Sequence, residues 1–325
     1  MSLLETKLTQ SLGIERPVIG GAMFPCSNPE LVAEVSEAGG IGVVQPLSLA
    51  YVWGHDVREG IRYIKKLTNK PWGFNALLEK SSKLYEDRMR QWIEIALDEG
   101  CRFFVTALGN PTEVVKRVHK AGGIVYHDVT ERRWALKARD AGVDGFICVN
   151  NRAGGHAGVK SPEDLFREMS DLGLPLVCAG GIGDEKTFVE ALRLGYAGVQ
   201  MGTRLIATTE CKSPDEYKEA IVHADEKDIV LTERVTGIPL SVIKTPYVEQ
   251  IGTKVGPVAR FMFRHRRTKH WIRIFYNLNS MWRMKRSMHK GFSTKDYWQA
   301  GKSVAGVERV EPVSAILGRF AAAAG

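Results

Sequence analysis

Over the first two hundred residues the apolar positions form short β-branched runs. Each run follows an amphipathic stretch that ends in glycine. The phrases are EAGGIGVV (37–44), DEGCRFFV (98–105), KAGGIVYH (120–127), DAGVDGFICV (140–149), DLGLPLVCAG (171–180) and RLGYAGVQMG (193–202). Glycine after a helix supplies the left-handed residue that ends it. The apolar run after it has the length of a strand buried on both faces. With PVIGGAM (17–23) and PWGFNAL (71–77) there are eight such runs, starting near 17, 41, 72, 102, 124, 144, 175 and 197. Strands alternating with helices of this length imply βαβ units and a parallel sheet. Eight units in the first 208 residues predict an α/β protein built on a (β/α)8 TIM barrel. A doubly wound open sheet is the alternative, but GGAMFP after the first strand is not the dinucleotide loop G-x-G-x-x-G.

The rhythm stops after Thr203-Arg204. Residues 209–295 read as a smaller inserted α/β lid or substrate domain, with a helix over 213–225 and a β-like stretch over 229–237. Residues 296–325 read as a return to the barrel through AGKSVAG (300–306) and a C-terminal helix over 311–323.

In such barrels the sites form at the carboxyl ends of the strands, so those ends supply the candidates. They are GGAM (20–23), Asn75, His127-Asp128, NNRAGGHAG (150–158), AGGIGD (179–184) and MGTR (201–204). Phosphate is often held between the loops after strands seven and eight. Gly180 and Gly181 offer backbone without side chains there, Gly202 and Thr203 lie on the neighbouring end, and Asp184 reads as a helix N-cap. The glycines could otherwise be plain tight turns. His156 is flanked by Gly154, Gly155 and Gly158. It titrates near neutrality and suits proton transfer, whereas a histidine in a loop is otherwise a structural residue. His127 is the weaker candidate, and Cys148, inside strand six, reads as core. Ala22, Met23 and Asn75 would lie near a planar ligand. A phosphate site at strands seven and eight with small residues at strand one suits flavin mononucleotide, FMN, lying across the barrel mouth.

Composition changes the picture only locally. The chain has 325 residues, 25% charged and 44% hydrophobic, which excludes a disordered or collagen-like polymer. The 33 glycines agree with many turns or close backbone approaches. The 45 Lys and Arg against 37 Asp and Glu give +8, but eleven of those basic residues fall between Lys254 and Lys290, where no acidic residue occurs. The remainder is slightly acidic, so the net charge does not imply nucleic-acid binding. The segment FMFRHRRTKHWIRIFYNLNSMWRMKRSMHK mixes cations with aromatics. It suits a solvated face or dimer contact, an acidic small partner such as coenzyme A phosphates, or a membrane surface. The five cysteines, at 26, 101, 148, 178 and 211, form no metal or disulfide pattern, and no metal is expected. The N-terminus lacks a secretory signal, and no run approaches the ~18 apolar residues of a membrane helix. A cytoplasmic location is expected.

PVIGGAM, GFNAL, the AGGHAG and AGGIG loops and QMGTR together resemble the nitronate monooxygenases, formerly 2-nitropropane dioxygenases. The superfamily is shared with flavin-dependent enoyl-acyl carrier protein reductases. The resemblance covers roughly residues 14–245 and AGKSVAG. It implies an FMN-bearing (β/α)8 barrel with an inserted domain. The catalytic histidine falls on His156. The phosphate glycines fall on Gly180, Gly181 and Gly202, with Thr203 beside them. Ring contacts fall on Ala22, Met23 and Asn75, with Asp128 and Gly155 also near the flavin. HDVT (127–130) departs from the small Ser-rich end common after strand five. TGIPLSVIKT (236–245) lacks the Arg and Asn expected of the reductase.

The implied activity is FMN-dependent oxidation of nitronates or nitroalkanes with oxygen. The alternatives are an enoyl-thioester reductase, an NAD(P)H:quinone reductase, and a peripheral membrane or interaction protein on an inherited barrel. The expected partners are a small-molecule substrate, with an acyl-thioester as one form of it, and a second copy in a homodimer.

Overall fold

The computed structural model describes residues 2–79, 82–256 and 297–325, with isolated positions between 257 and 296. The basic segment 254–290 therefore lies almost wholly outside the described residues. The barrel strands are β1 (Val18–Gly20), β2 (Ile41–Val44), β3 (Trp72–Leu77), β4 (Phe103–Ala107), β5 (Ile124–Val129), β6 (Gly145–Val149), β7 (Leu176–Ala179) and β8 (Gly198–Met201). They form a closed, all-parallel barrel in sequence order. β8 closes onto β1 with Ile19 opposite Gln200. This is the (β/α)8 barrel that the sequence pattern predicts, with each strand starting within a residue of its expected position.

The helices begin with α1 (Lys7–Leu12), which precedes the barrel. Those between strands are α2 (Pro29–Glu37), α3 (Val57–Leu67), α4 (Lys83–Asp98), α5 (Thr112–Lys120), α6 (Arg132–Asp140), α7 (Pro162–Met169) and α8 (Glu185–Leu194). The first glycine of each of the six phrases takes a left-handed φ: Gly39, Gly100, Gly122, Gly142, Gly173 and Gly195. The chain stops each helix there and drops into the next strand. Asp184 caps α8, accepting from Thr187 N at 2.8 Å.

Alternation along the strands divides the core in two. Ile19, Ile41, Val43, Phe103, Val105, Tyr126, Ile147 and Val177 fill the barrel interior. Their neighbours Phe74, Phe104, Val125, Phe146, Cys148 and Cys178 face outward under the helices. Cys148 is thus core, with burial raising its thiol pKa. No helix among the described residues is long and apolar enough to cross a membrane.

Beyond the barrel lie α9 (Thr203–Ile206), α10 (Asp215–His223), an antiparallel hairpin of β9 (Ile229–Thr232) and β10 (Leu240–Ile243), and α11 (Pro246–Ile251). The expected β-like stretch is a strand only over its first four residues. Its partner, LSVI, lies between Gly237-Ile238-Pro239 and Pro246, a run too short to separate from a loop by pattern alone. The hairpin docks on the barrel mouth: Ser241 N donates to Gly155 O at 2.9 Å, and Gln299 bridges to Val242.

The C-terminal helix α12 (Val313–Ala324) packs against α8 and α2. A buried ionic cluster fixes it. Arg204, 2% exposed, pairs with Glu311, which also accepts from Arg319 at 2.6 and 2.7 Å. Arg319 reaches Glu185 as well. Hydrogen bonds from Arg319 hold the Glu311 carboxyl below the usual range. Removing one member leaves a buried charge unpaired, which costs about 3–5 kcal/mol. Glu311→Ala is therefore expected to lower the urea midpoint strongly. The exposed pair Lys116–Glu113 should show almost no effect when broken.

Candidate active site at the barrel mouth

A single cavity of about 1200 Å3 opens at the carboxyl ends of the strands. Its lining includes Ala22, Met23, Asp128, Gly155, His156, Gly180, Gly181, Gly202 and Thr203. Nine of the ten candidate residues thus meet around one space, drawn from loops far apart in the chain. Gln200 joins them. Asn75 does not line the cavity; it is buried on β3 with its Oδ1 lacking a partner.

Glycine is required here chiefly by close packing of backbones. Gly180 has φ 119°, and a Cβ there would meet Asn150 Oδ1 at 2.4 Å and Ala153 N at 2.5 Å. A Cβ on Gly301 would strike Gly154 N at 2.5 Å and Arg152 O at 2.6 Å. The loops after β6 and β7 and the AGKSVAG stretch are therefore in backbone contact. Asn150 fastens them further, donating to Gly180 O at 2.9 Å. Thr203 Oγ1 accepts from Gly301 N at 2.9 Å, so one of its lone pairs is used inside the protein while its proton stays free to donate. At Gly202 the constraint is different: φ is −118°, and an added Cβ would touch only Met23, at 3.6 Å.

His156 is exposed to the cavity, with Nε2 3.2 Å from Thr236 Oγ1. Thr236 Oγ1 donates to Ile238 O at 3.1 Å. Its proton is committed, so it accepts from His156, which places the imidazole hydrogen on Nε2 and leaves Nδ1 as the free base. The surrounding protein desolvates the ring and lowers its pKa below the ordinary histidine value. His127 follows the same logic with the other nitrogen. Its Nδ1 lies 2.8 Å from Thr106 Oγ1, which donates to Tyr126 O at 3.2 Å. Nδ1 therefore carries the hydrogen. Burial lowers the pKa of His127 to about 4, so the ring is neutral.

Asp128 points into the barrel, next to inward-facing Tyr126. Its Oδ1 is buried without a partner, and burial pushes its carboxyl up to about 7. Three residues at the mouth were not legible from sequence. Arg152 lies against Gly181 and pairs with Glu226. Thr236 meets His156 across 80 residues. Trp134 lines the cavity from α6. Arg152 directly precedes AGGH, within the NNRAGGHAG loop, whereas the other two carry no local signal. Among the described residues, no cluster of three or more His, Cys, Asp or Glu is arranged to hold a metal.

The raised Asp128 value carries a stability consequence. Between the ordinary 3.8 and about 7 the folded chain keeps a proton that the unfolded chain releases. Stability therefore falls as pH rises through that window and levels off above it. Asp128→Asn should remove this component. Urea midpoints measured from pH 4 to 8 should decline less steeply in the variant than in the parent.

The nitronate monooxygenase family model matches residues 5–317. A Rhodococcus jostii protein, (3aS,4S,5R,7aS)-5-hydroxy-7a-methyl-1-oxo-octahydro-1H-indene-4-carboxyl-CoA dehydrogenase, is 31% identical over 80% of this chain and 72% of its own. A probable nitronate monooxygenase of Staphylococcus saprophyticus is 28% identical over 76% of this chain and 81% of its own. Among solved structures, FabK from Thermotoga maritima superposes with a TM-score of 0.78 at 27% identity, covering 97% of this chain and 96% of its own. Nitroalkane oxidase from Streptomyces ansochromogenes shares the fold, with a TM-score of 0.75 at 21% identity over 97% of each chain. With the barrel, the glycine loops and the histidine loop in one cavity, the chain belongs to the nitronate monooxygenase family, a family of flavin-dependent oxidoreductases.

Proposed function

We propose that the protein is an FMN-dependent oxidoreductase of nitronate monooxygenase type, oxidising nitronates or nitroalkanes with oxygen. The observation that carries this reading is one cavity that joins a side-chain-free glycine cradle to a histidine whose free nitrogen is a base. One buried oxygen at the strand ends, on Asp128, lines the cavity without a partner among the described residues and suits the polar edge of a ring system. Gly180, Gly181, Gly202 and Thr203 would hold the phosphate, with Ala22 and Met23 against the ring. FMN would supply the two-electron chemistry. His156 Nδ1 takes the proton from the carbon bearing the nitro group, while Thr236 keeps the ring in the useful tautomer. The hairpin of β9 and β10 fixes the loop that carries His156.

A second reading is an acyl-thioester oxidoreductase. The cavity volume of about 1200 Å3 exceeds the usual ~300–1,000 Å3 of a ligand pocket and leaves room for more than a small nitroalkane. The related CoA dehydrogenase points the same way.

Absorbance of the purified protein and mass spectrometry of heat-released ligand decide the cofactor; FAD, or no flavin after reconstitution, would overturn the assignment. Gly202→Val should keep the fold, with the flavin-free midpoint unchanged, but lose flavin, because an added Cβ there meets nothing closer than Met23 at 3.6 Å. Gly180→Ala should destabilise the chain whether or not flavin is present.

His156→Ala should lower turnover of a neutral nitroalkane by roughly 10²–10⁴-fold, the usual worth of positioned proton transfer. An anionic nitronate needs no deprotonation, so its turnover should fall little. The acid limb of the nitroalkane profile should lie below the ordinary histidine value, because the folded site lowers that pKa. Equal, minor losses with both substrates would remove His156 from the proton-transfer role.

A further inference from the structure

The cavity does not end at the barrel mouth. It continues sideways between the loop after β4 and one face of α6, where Trp134, Lys137 and Ala141 also line it. From Trp134 to Ala141 this face extends about 10 Å, two turns of helix. None of these residues is needed by the flavin site or by His156.

Three features of the arm are costly or unexplained unless something binds there. Leu108 is held at φ 61°, a left-handed conformation that is strained for a bulky L-residue, and its side chain is 57% exposed. The loop enforces this: Leu78 N donates to Ala107 O at 2.9 Å, and a Cβ on Gly109 would strike Leu78 O at 2.3 Å. Trp134, opposite, is 41% exposed. Arg133 and Lys137 lie 4.7 and 4.8 Å from its ring centroid. Such exposed cation–π contacts are weak, so Lys137, which lines the arm, can swing onto an anion and free a ring face, whereas Arg133 also pairs with Glu131 at 2.7 Å. His127 supplies an acceptor: its Nδ1 is bonded to Thr106, and its Nε2 has no partner among the described residues. One carboxylate, Asp140, also lines the arm, beside Arg139 at 3.4 Å.

The geometry points to this arm as the site for the anionic adenine-nucleotide tail of an elongated co-substrate, an acyl-CoA thioester whose reacting end lies at the barrel mouth. The Trp134 indole offers a face on which a purine stacks. Lys137 meets phosphate, Leu108 covers the aliphatic linker, and His127 Nε2 accepts from a linker amide. The inference rests on the proposed flavin site for the reacting end but not on which bond is oxidised. A reduced pyridine nucleotide carries the same tail, so the test separates the two.

Octanoyl-CoA, octanoyl-N-acetylcysteamine, NADH and NADPH are titrated calorimetrically into the flavin-loaded protein and into Trp134→Ala and Lys137→Glu. All the altered side chains are on the surface, and flavin content and thermal midpoint are recorded for each. Octanoyl-CoA should bind the parent and lose ten-fold or more in affinity in either variant, more steeply at low salt for Lys137→Glu. The truncated N-acetylcysteamine thioester should bind parent and variants alike. Nitronate turnover should be the same in all three proteins. Equal octanoyl-CoA affinity in parent and variants, or no binding to the parent, would overturn the assignment. The same variant pattern with NADPH or NADH but not with octanoyl-CoA would overturn the acyl-CoA occupant. Binding is read without turnover, so loss of the FMN reading would appear separately, as missing flavin in the parent.

Discussion

The candidate site depends on one constraint: the backbones of three distant segments touch with no side chain between them. The loop after β6, the loop after β7 and residues 299–306 meet at Gly154, Gly180 and Gly301, where an added Cβ would overlap main-chain atoms or, at Gly154, press against them. This contact brings Thr203 to Gly301 N and holds the loop carrying His156 against the hairpin strand β10. The same packing that stabilises the loops leaves the cavity wall free of bulk. Arg204, one residue past Thr203, anchors the C-terminal segment through Glu311, so the site and the tail of the chain are held by adjacent residues.

Protonation in the cavity is set by neighbours whose own protons are already committed. Thr106 and Thr236 each donate to a backbone carbonyl and so accept from imidazole. That arrangement puts the free nitrogen of His127 at Nε2 and that of His156 at Nδ1. Both rings are neutral in neutral solution, because burial disfavours the charged form. Asp128 is shifted the opposite way by the same cause, since its charged form is the anion. Two basic nitrogens and one carboxyl raised to about 7 thus coexist around one space, and burial alone shifts all three.

The barrel was legible because its signals are local. A left-handed glycine ends each helix, and β-branched runs mark strands buried on both faces, as at Gly122 before Ile124 and Gly142 before Gly145. The ends of those strands then gave the glycine loops and His156 as neighbours. The hairpin was half legible: Ile229–Thr232 reads as a strand, but Leu240–Ile243, four residues between Pro239 and Pro246, is too short to be told from a loop without its partner. Trp134 looked like any surface aromatic on an amphipathic helix, and nothing beside Leu108 announces a left-handed leucine.

By itself, then, the sequence determined the order of elements, the closure into eight units and the loops from which a site had to be built, since each follows from residues within a turn or a strand of one another. Only the tertiary structure decided which nitrogen of His156 is free, because the deciding hydroxyl lies 80 residues away. It also decided that the Asp128 carboxyl is pushed up to about 7, because desolvation depends on everything packed around a group rather than on its neighbours in the chain. The cavity's sideways extension was settled the same way: its two walls come from different βα units, and a gap between them has no representation in either stretch of sequence.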